Sequence, residues 1–234
     1  EVVNVHAAAL LLGAAGLASR LVGIVRNRLL FAEFGAGREL DIYYAAFQIP
    51  DFMATVFLLG AAAAAILPVF QEYLVEDKKK AQAFIAVLAT LFFWGATVLS
   101  TIIFFAVPAI MPFVAPGFSP DEHALAGTLV RIMLVVPVLF GLSGIFSSVL
   151  QSFQLFFVYA LAPILYNLGI IMGILFLAPV FGVTGLGMGV GLGALFHLCL
   201  QYTFSARLGF GVGVGWPGVH QYALVVGGLK RVLA

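Results

Sequence analysis

Apolar stretches of about 20 residues, the length needed to cross roughly 30 Å of hydrocarbon, recur along the chain between short polar breaks. They lack the period-two alternation that a barrel strand needs to face lipid on one side and a lumen on the other. They therefore read as helices. The chain has 234 residues, of which 63% are hydrophobic and only 9% charged. A soluble domain carries about 25% charged residues to keep its surface wet. With a mean hydropathy of +1.16, the chain reads as a polytopic, all-α integral membrane protein.

The same composition excludes several functions. A net charge of +1, with basic residues scattered apart from one short run, sets nucleic-acid binding aside. Cys199 is the single cysteine and lies in an apolar helix, so no intrachain disulfide or cysteine metal site is available. The four histidines show no metal-ligand spacing. Gly213-Val-Gly215-Trp-Pro-Gly218 matches a nucleotide-loop pattern, but no strand precedes it and Pro217 interrupts it. No cofactor, metal or catalytic triad is expected, and an enzyme reading has nothing to hold on to.

Helix 1 is expected over about His6 to Phe34, closed by Gly35-Ala-Gly37. Its first residues lack the basic n-region of a signal peptide and continue into a full span. Helix 2 is expected from Glu39 to Tyr73, bent at Pro50, with the alanine run 61–65 allowing close approach of another helix. After the polar break at Glu76-Asp-Lys78-Lys79-Lys80, helix 3 reaches Pro112. Helix 4 runs from the acidic turn Asp121-Glu122 to Gln151, helix 5 from Phe157 to Ala178, and helix 6 from Val183 to Leu208. The glycines at 185, 187, 189, 191 and 193 favour tight helix contact. Residues 1–208 thus form a six-helix lobe; residues 209–234 form a cytoplasmic connection and the start of a seventh helix, in a chain expected to be part of a longer protein. Lys78, Lys79, Lys80, Arg207, Lys230 and Arg231 fall on one side and Arg38 on the other, which places the N-terminus in the cytoplasm.

Arg20 and Arg26 are the feature that asks for a function. A guanidinium deep in a bilayer costs about 2.5–3.5 kcal/mol on insertion scales, so it faces water, a partner or a polar ligand. Six residues separate the two, roughly 9 Å along a helix, within reach of one extended polyanion. Arg26 and Arg28 also lie near enough to a helix end to snorkel. Arg131, about ten residues into helix 4, is a similar candidate, with Asp41 or Asp51 as possible pairing partners across the bundle.

Ala18-Ser-Arg20-Leu-Val-Gly23-Ile-Val-Arg26, Phe34-Gly-Ala-Gly37, Asp41-Ile-Tyr-Tyr-Ala-Ala-Phe47-Gln-Ile-Pro50 and Pro68-Val-Phe-Gln-Glu72-Tyr73, in this order and spacing, resemble the start of the MurJ (MviN) lipid II flippases. The resemblance continues through Leu129-Val-Arg131-Ile, Ala162-Pro163-Ile-Leu-Tyr-Asn167-Leu and Phe181-Gly-Val-Thr-Gly185-Leu. It implies membership of the multidrug/oligosaccharidyl-lipid/polysaccharide exporters, whose two six-helix lobes enclose a cationic cavity and alternate between inward-open and outward-open states. This chain is then the N-terminal lobe, with a C-terminal lobe of the same protein and membrane lipids as partners. The substrate implied is a lipid-linked pyrophosphate, bound by Arg20 and Arg26, with Asp41 and Arg131 completing the candidate set. Two departures stand out: the aspartate after the second arginine is Asn27 here, and the family's arginine and glutamate after Ile49-Pro50 are absent from Ala54-Leu59. Another polyprenyl-pyrophosphate-linked oligosaccharide, or a transport-inactive structural or regulatory role, are the alternatives.

Overall fold

The computed structural model describes residues 5–59 and 62–211. All of its regular structure is helical: α1 Val5–Phe34, α2 Arg38–Leu59, α3 Ala62–Glu76, α4 Lys78–Val114, α5 Pro120–Met133, α6 Val135–Ser152, α7 Phe156–Met172, α8 Ala178–Phe181 and α9 Val183–Ser205. A π-helical turn, Gly173–Leu177, joins α7 to α8, and a second, Ala206–Phe210, extends α9. Among the described residues, four rods are long and apolar enough to cross a membrane: Lys78–Val114, Pro120–Ser152, Phe156–Phe181 and Val183–Phe210. The seventh-helix start, the 213–218 glycine motif and Lys230 and Arg231 fall outside the described residues, as do Gly60 and Ala61 of the small-residue run.

Local chemistry sets the boundaries. Gly35 closes α1 with φ +65° and an N–H donated to Phe31 O. Asp77 caps α4 by accepting from the Lys79 N–H. Ser119 and Glu122 form a reciprocal capping box at the start of α5, with Pro120 in its first turn. The expected fourth helix differs in one respect: it breaks at Leu134 into α5 and α6. Pro137 has no N–H for the Met133 carbonyl, which loosens the turn there. Ser100 on α4 then donates its hydroxyl to Leu134 O at 3.1 Å. The fifth helix also runs further than expected, through the π turn to Phe181, before Gly182 turns the chain with φ +59°.

Packing follows side-chain size. On α9, Gly185, Gly189 and Gly193 recur every four residues and lie against the Phe156–Phe181 rod: Gly193 meets Tyr166 and Gly169 on α7, Gly189 meets Gly173 at the start of the π turn, and Gly185 meets Leu177 and Ala178. A Cβ added at Gly169 falls 2.3 Å from Gly193 Cα, and one at Gly173 falls 2.4 Å from Gly189 Cα. Only glycine permits this backbone approach. Gly187 instead faces Leu129, Ile132 and Met133 on α5, and Gly191 faces Val135. One core joins α2, α5, the start of α6, α7 and α9 around Ala46, Leu129, Met133, Leu186 and Val190. A second joins α3, α4 and α6 around Phe70, Phe84, Ile85, Val149 and Phe210. α1 packs chiefly on α7, leaving Leu17, Leu21, Ile24 and Val25 exposed.

Candidate anion site on the first helix

Arg26 sits eight residues before the end of α1, half-buried against α7. Its Nη1 donates to Asn167 Oδ1 on α7 at 2.9 Å. Its Nε and Nη2 both donate to Asn27 Oδ1, at 3.1 and 2.9 Å. Asn167 is buried, and its Nδ2 donates to Pro163 O one turn earlier at 3.0 Å. That bond turns the amide oxygen toward Arg26. Gly23, one turn before Arg26, faces the same amide: a Cβ there stands 3.9 Å from Asn167 Oδ1, an ordinary contact.

The chemical consequence lies in the partners being amides. A carboxylate in either place cancels the guanidinium charge, whereas Asn27 and Asn167 orient it and leave it cationic. Three of its N–H groups are used in these bonds, leaving about two of the five that a guanidinium carries. Tyr166 lies within electrostatic range of both Arg26 and Asp51, and Tyr43 within range of Arg26 and Tyr166. The outcome is a positioned cation with spare donors and two tyrosines within electrostatic range.

The other expected site residues are not gathered around it. Arg20 is exposed on the face it shares with Leu17, Leu21 and Ile24, and among the described residues it donates to no partner. Asp41 is exposed in the first turn of α2 and lies within electrostatic range of Arg38. Counted along the helices, Asp41 is about 5 Å from the α1–α2 turn, against roughly 12 Å for Arg26 and 21 Å for Arg20. Arg131 turns to α4, where its Nε donates to Phe104 O at 3.2 Å and its guanidinium lies 5.3 Å from the Phe104 ring centre. The pairing expected with Asp41 or Asp51 is therefore replaced. Pro108 supplies the reason: it has no N–H for the carbonyl four residues earlier, Phe104, and Arg131 takes that acceptor.

Sequence reasoning had Asn27 and Asn167 in hand only as motif letters and missed their role. The signal was present in the chemistry: a membrane-embedded arginine followed by a neutral amide needs further acceptors that do not discharge it. On the far side of the α1–α2 turn, Arg38 makes a paired bond to Glu122, Nε to Oε1 at 2.5 Å and Nη2 to Oε2 at 3.0 Å. It also donates to Gly117 O and stacks over Phe118, clasping the start of α2 to the start of α5.

Fold and site together define a helical membrane lobe that presents a held, uncancelled cation on its first helix. The model of the family "Lipid II flippase MurJ" matches residues 31–225. The chain belongs to that family, and is an integral protein of the bacterial inner membrane. The lipid II flippase MurJ of Burkholderia cenocepacia is 30% identical over 99% of this chain and 45% of its own length. The probable lipid II flippase MurJ of Thermotoga maritima is 32% identical over 77% of this chain and 37% of its own. A solved structure of lipid II flippase MurJ in an inward closed conformation has the same fold, with a TM-score of 0.70 at 24% identity, over 96% of this chain and 48% of that one. The chain thus spans less than half the length of these relatives.

Proposed function

We propose that this chain is the amino-terminal six-helix lobe, with the start of a seventh helix, of a flippase that moves a lipid-linked peptidoglycan precursor of the lipid II type across the cytoplasmic membrane. It is a transporter lobe rather than an enzyme, with its N-terminus in the cytoplasm and a C-terminal lobe of the same protein facing the exposed stripe of α1. The observation that carries this reading is the guanidinium of Arg26, fixed by two neutral amides on the first helix of a chain in the MurJ family. A pyrophosphate head brings two negative groups into a low-dielectric region and needs oriented cations there. Arg20, about 9 Å further along α1, supplies the second. Asp41, nearer the turn, is placed to meet polar parts of the head group.

The amide partners give a sharp test. Asn167→Asp keeps the size and the hydrogen bond to Arg26 but puts a carboxylate beside it. In the full-length protein, binding of a lipid-linked pyrophosphate should fall by tenfold or more in Asn167→Asp, without loss of thermal stability. Arg26→Ala and Arg20→Ala each remove a charge-assisted contact of about 1.5–3 kcal/mol, again on the order of tenfold or more. Arg20→Lys should recover only part, because an ammonium lacks the planar fork. Unchanged binding across Arg20→Ala, Arg26→Ala and Asn167→Asp would end the head-group assignment. The family arginine and glutamate missing from Ala54-Leu59 favour, as a second reading, a different polyprenyl-pyrophosphate-linked oligosaccharide. Competition between the two lipids for the same protein separates them.

A further inference from the structure

Arg131 has a second set of surroundings that the α1 site does not use. Between α4 and α5 lies a cavity of about 450 Å³ lined by Pro108, Pro112, Pro120, His123, Thr128 and Arg131, among others. Arg131 spends its Nε on the carbonyl orphaned by Pro108. Among the described residues its two terminal nitrogens donate to nothing, and no carboxylate lines the cavity. His123 is occupied by Ala115 O at 2.9 Å. The cavity therefore carries one formal positive charge with free, forked donors.

Its depth follows from the helix. The α5–α6 rod, Pro120–Ser152, is about 50 Å long at 1.5 Å per residue, and Arg131 lies roughly 16 Å from the Pro120 end. Centred on a hydrocarbon layer of about 30 Å, the rod puts the Arg131 backbone ~6 Å inside the apolar region. Helical side chains lean toward the N-terminus, so the guanidinium leans toward the near headgroup layer. The lining residues run from this depth to the Pro112 and Pro120 ends of the two helices. The cavity is a slot leading from the headgroup layer down to a cation.

The surroundings of the slot are apolar and face outward. Little of the apolar stretch of α4 is buried, and Phe104, Phe105 and Phe113 are exposed on it. Phe104, against which Arg131 lies, also lines a groove of about 410 Å³ between α4 and α6, with Thr97, Phe105, Val135 and Val138. A charged head beside an apolar trough matches one amphiphile.

We propose that Arg131 and the α4–α5 slot form a binding site for the phosphate of a bilayer phospholipid, with an acyl chain along the α4–α6 groove. This site is separate from the α1 site and does not depend on the transport reading. The bound phosphate supplies the counter-charge that Arg131 lacks among the described residues.

The test uses the purified full chain, with lipid occupancy read by mass spectrometry of the intact complex. Phosphatidylglycerol should be retained on the wild type, while diacylglycerol, with the same tails and no phosphate, and inorganic phosphate, with no tails, should not. Because Arg131 also satisfies Phe104 O, the variant to read is the double Arg131→Gln with Pro108→Ala, in which residue 108 regains an N–H for that carbonyl. It should lose tenfold or more of the phosphatidylglycerol occupancy. Ala124→Leu, which fills the slot and leaves Arg131 in place, should lose it as well. Wild-type occupancy in both variants overturns the proposal. So does equal binding of inorganic phosphate, which makes the slot an aqueous anion site, or displacement of phosphatidylglycerol by a lipid-linked pyrophosphate, which makes it part of the substrate path.

Discussion

Gly169→Ala should be among the most damaging single-methyl changes in this chain, and Gly95→Ala among the most benign. At Gly169 the added carbon lands 2.3 Å from Gly193 Cα and 2.4 Å from Gly193 N. An ordinary carbon contact needs about 3.4 Å, so α7 and α9 must part by roughly 1 Å. The obstruction is backbone, with no rotamer to give way. Overpacking costs about 1–3 kcal/mol in ordinary cores, and a rigid seam belongs at the upper end. Replacing glycine in a helix returns up to about 1 kcal/mol, so the net loss is about 2 kcal/mol. Gly95 on α4 has nothing within 4 Å of the added carbon, so only the gain of up to ~1 kcal/mol remains there. The two variants should differ by about 3 kcal/mol, or roughly 6–12 °C in melting temperature at 2–4 °C per kcal/mol. Thermal unfolding of the detergent-solubilised protein measures this directly. Coincident melting temperatures would refute the seam as a stability determinant.

Position 79 lies on the cytoplasmic side in the proposed topology, so a Lys79→Cys variant should resist a membrane-impermeant thiol reagent applied to intact cells; efficient labelling reverses the orientation. Alternating access needs one lobe to rock against another, so the 234-residue chain alone, in vesicles, should not flip a fluorescent lipid-linked pyrophosphate, and clear flipping points to dimerisation. The Arg38–Glu122 clasp is partly exposed, so Glu122→Gln should lower the melting temperature only slightly, by an amount that shrinks as salt rises, while Ser119→Ala, which removes a cap, should cost about 1 kcal/mol whatever the salt.

How much of this could be read beforehand depends on the range of the interaction. The helix end at Phe34, the Asp77 turn and the helix start at Val183 were legible because caps and breakers act within a few residues. The glycine seam was half legible: the run from 185 to 193 promised close contact, but only the four-residue period of Gly185, Gly189 and Gly193 selects the Phe156–Phe181 rod. The break at Leu134 was missed although Pro137 announced it. The partners of the arginines were not legible. Arg26 finds Asn167 across 141 positions of sequence, and Arg131 finds a main-chain carbonyl, which no side-chain pattern marks. For Arg131 an expectation built on opposite charges looked to Asp41 and Asp51, whereas Arg131 and Arg26 both settled on neutral acceptors.

That preference has a structural consequence for the proposed site. α1 is held chiefly through α7, and α7 is registered on α9 by glycines only two and six residues beyond Asn167. The position of Arg26 relative to the rest of the lobe is therefore transmitted through one amide and one seam. Separating α7 from α9 by about 1 Å carries Asn167 with it, and α1 can follow because its other flank, with Leu17, Leu21 and Ile24, is uncovered in this lobe. Gly169→Ala should therefore move Arg26 as a unit with α7 and preserve the Arg26–Asn167 bond. If the α1 site works as proposed, head-group affinity in Gly169→Ala should fall less than in Asn167→Ala, where Arg26 loses its anchor on α7, even though Gly169→Ala is the less stable protein. The reverse order would mean that the seam, and not the amide, positions the cation.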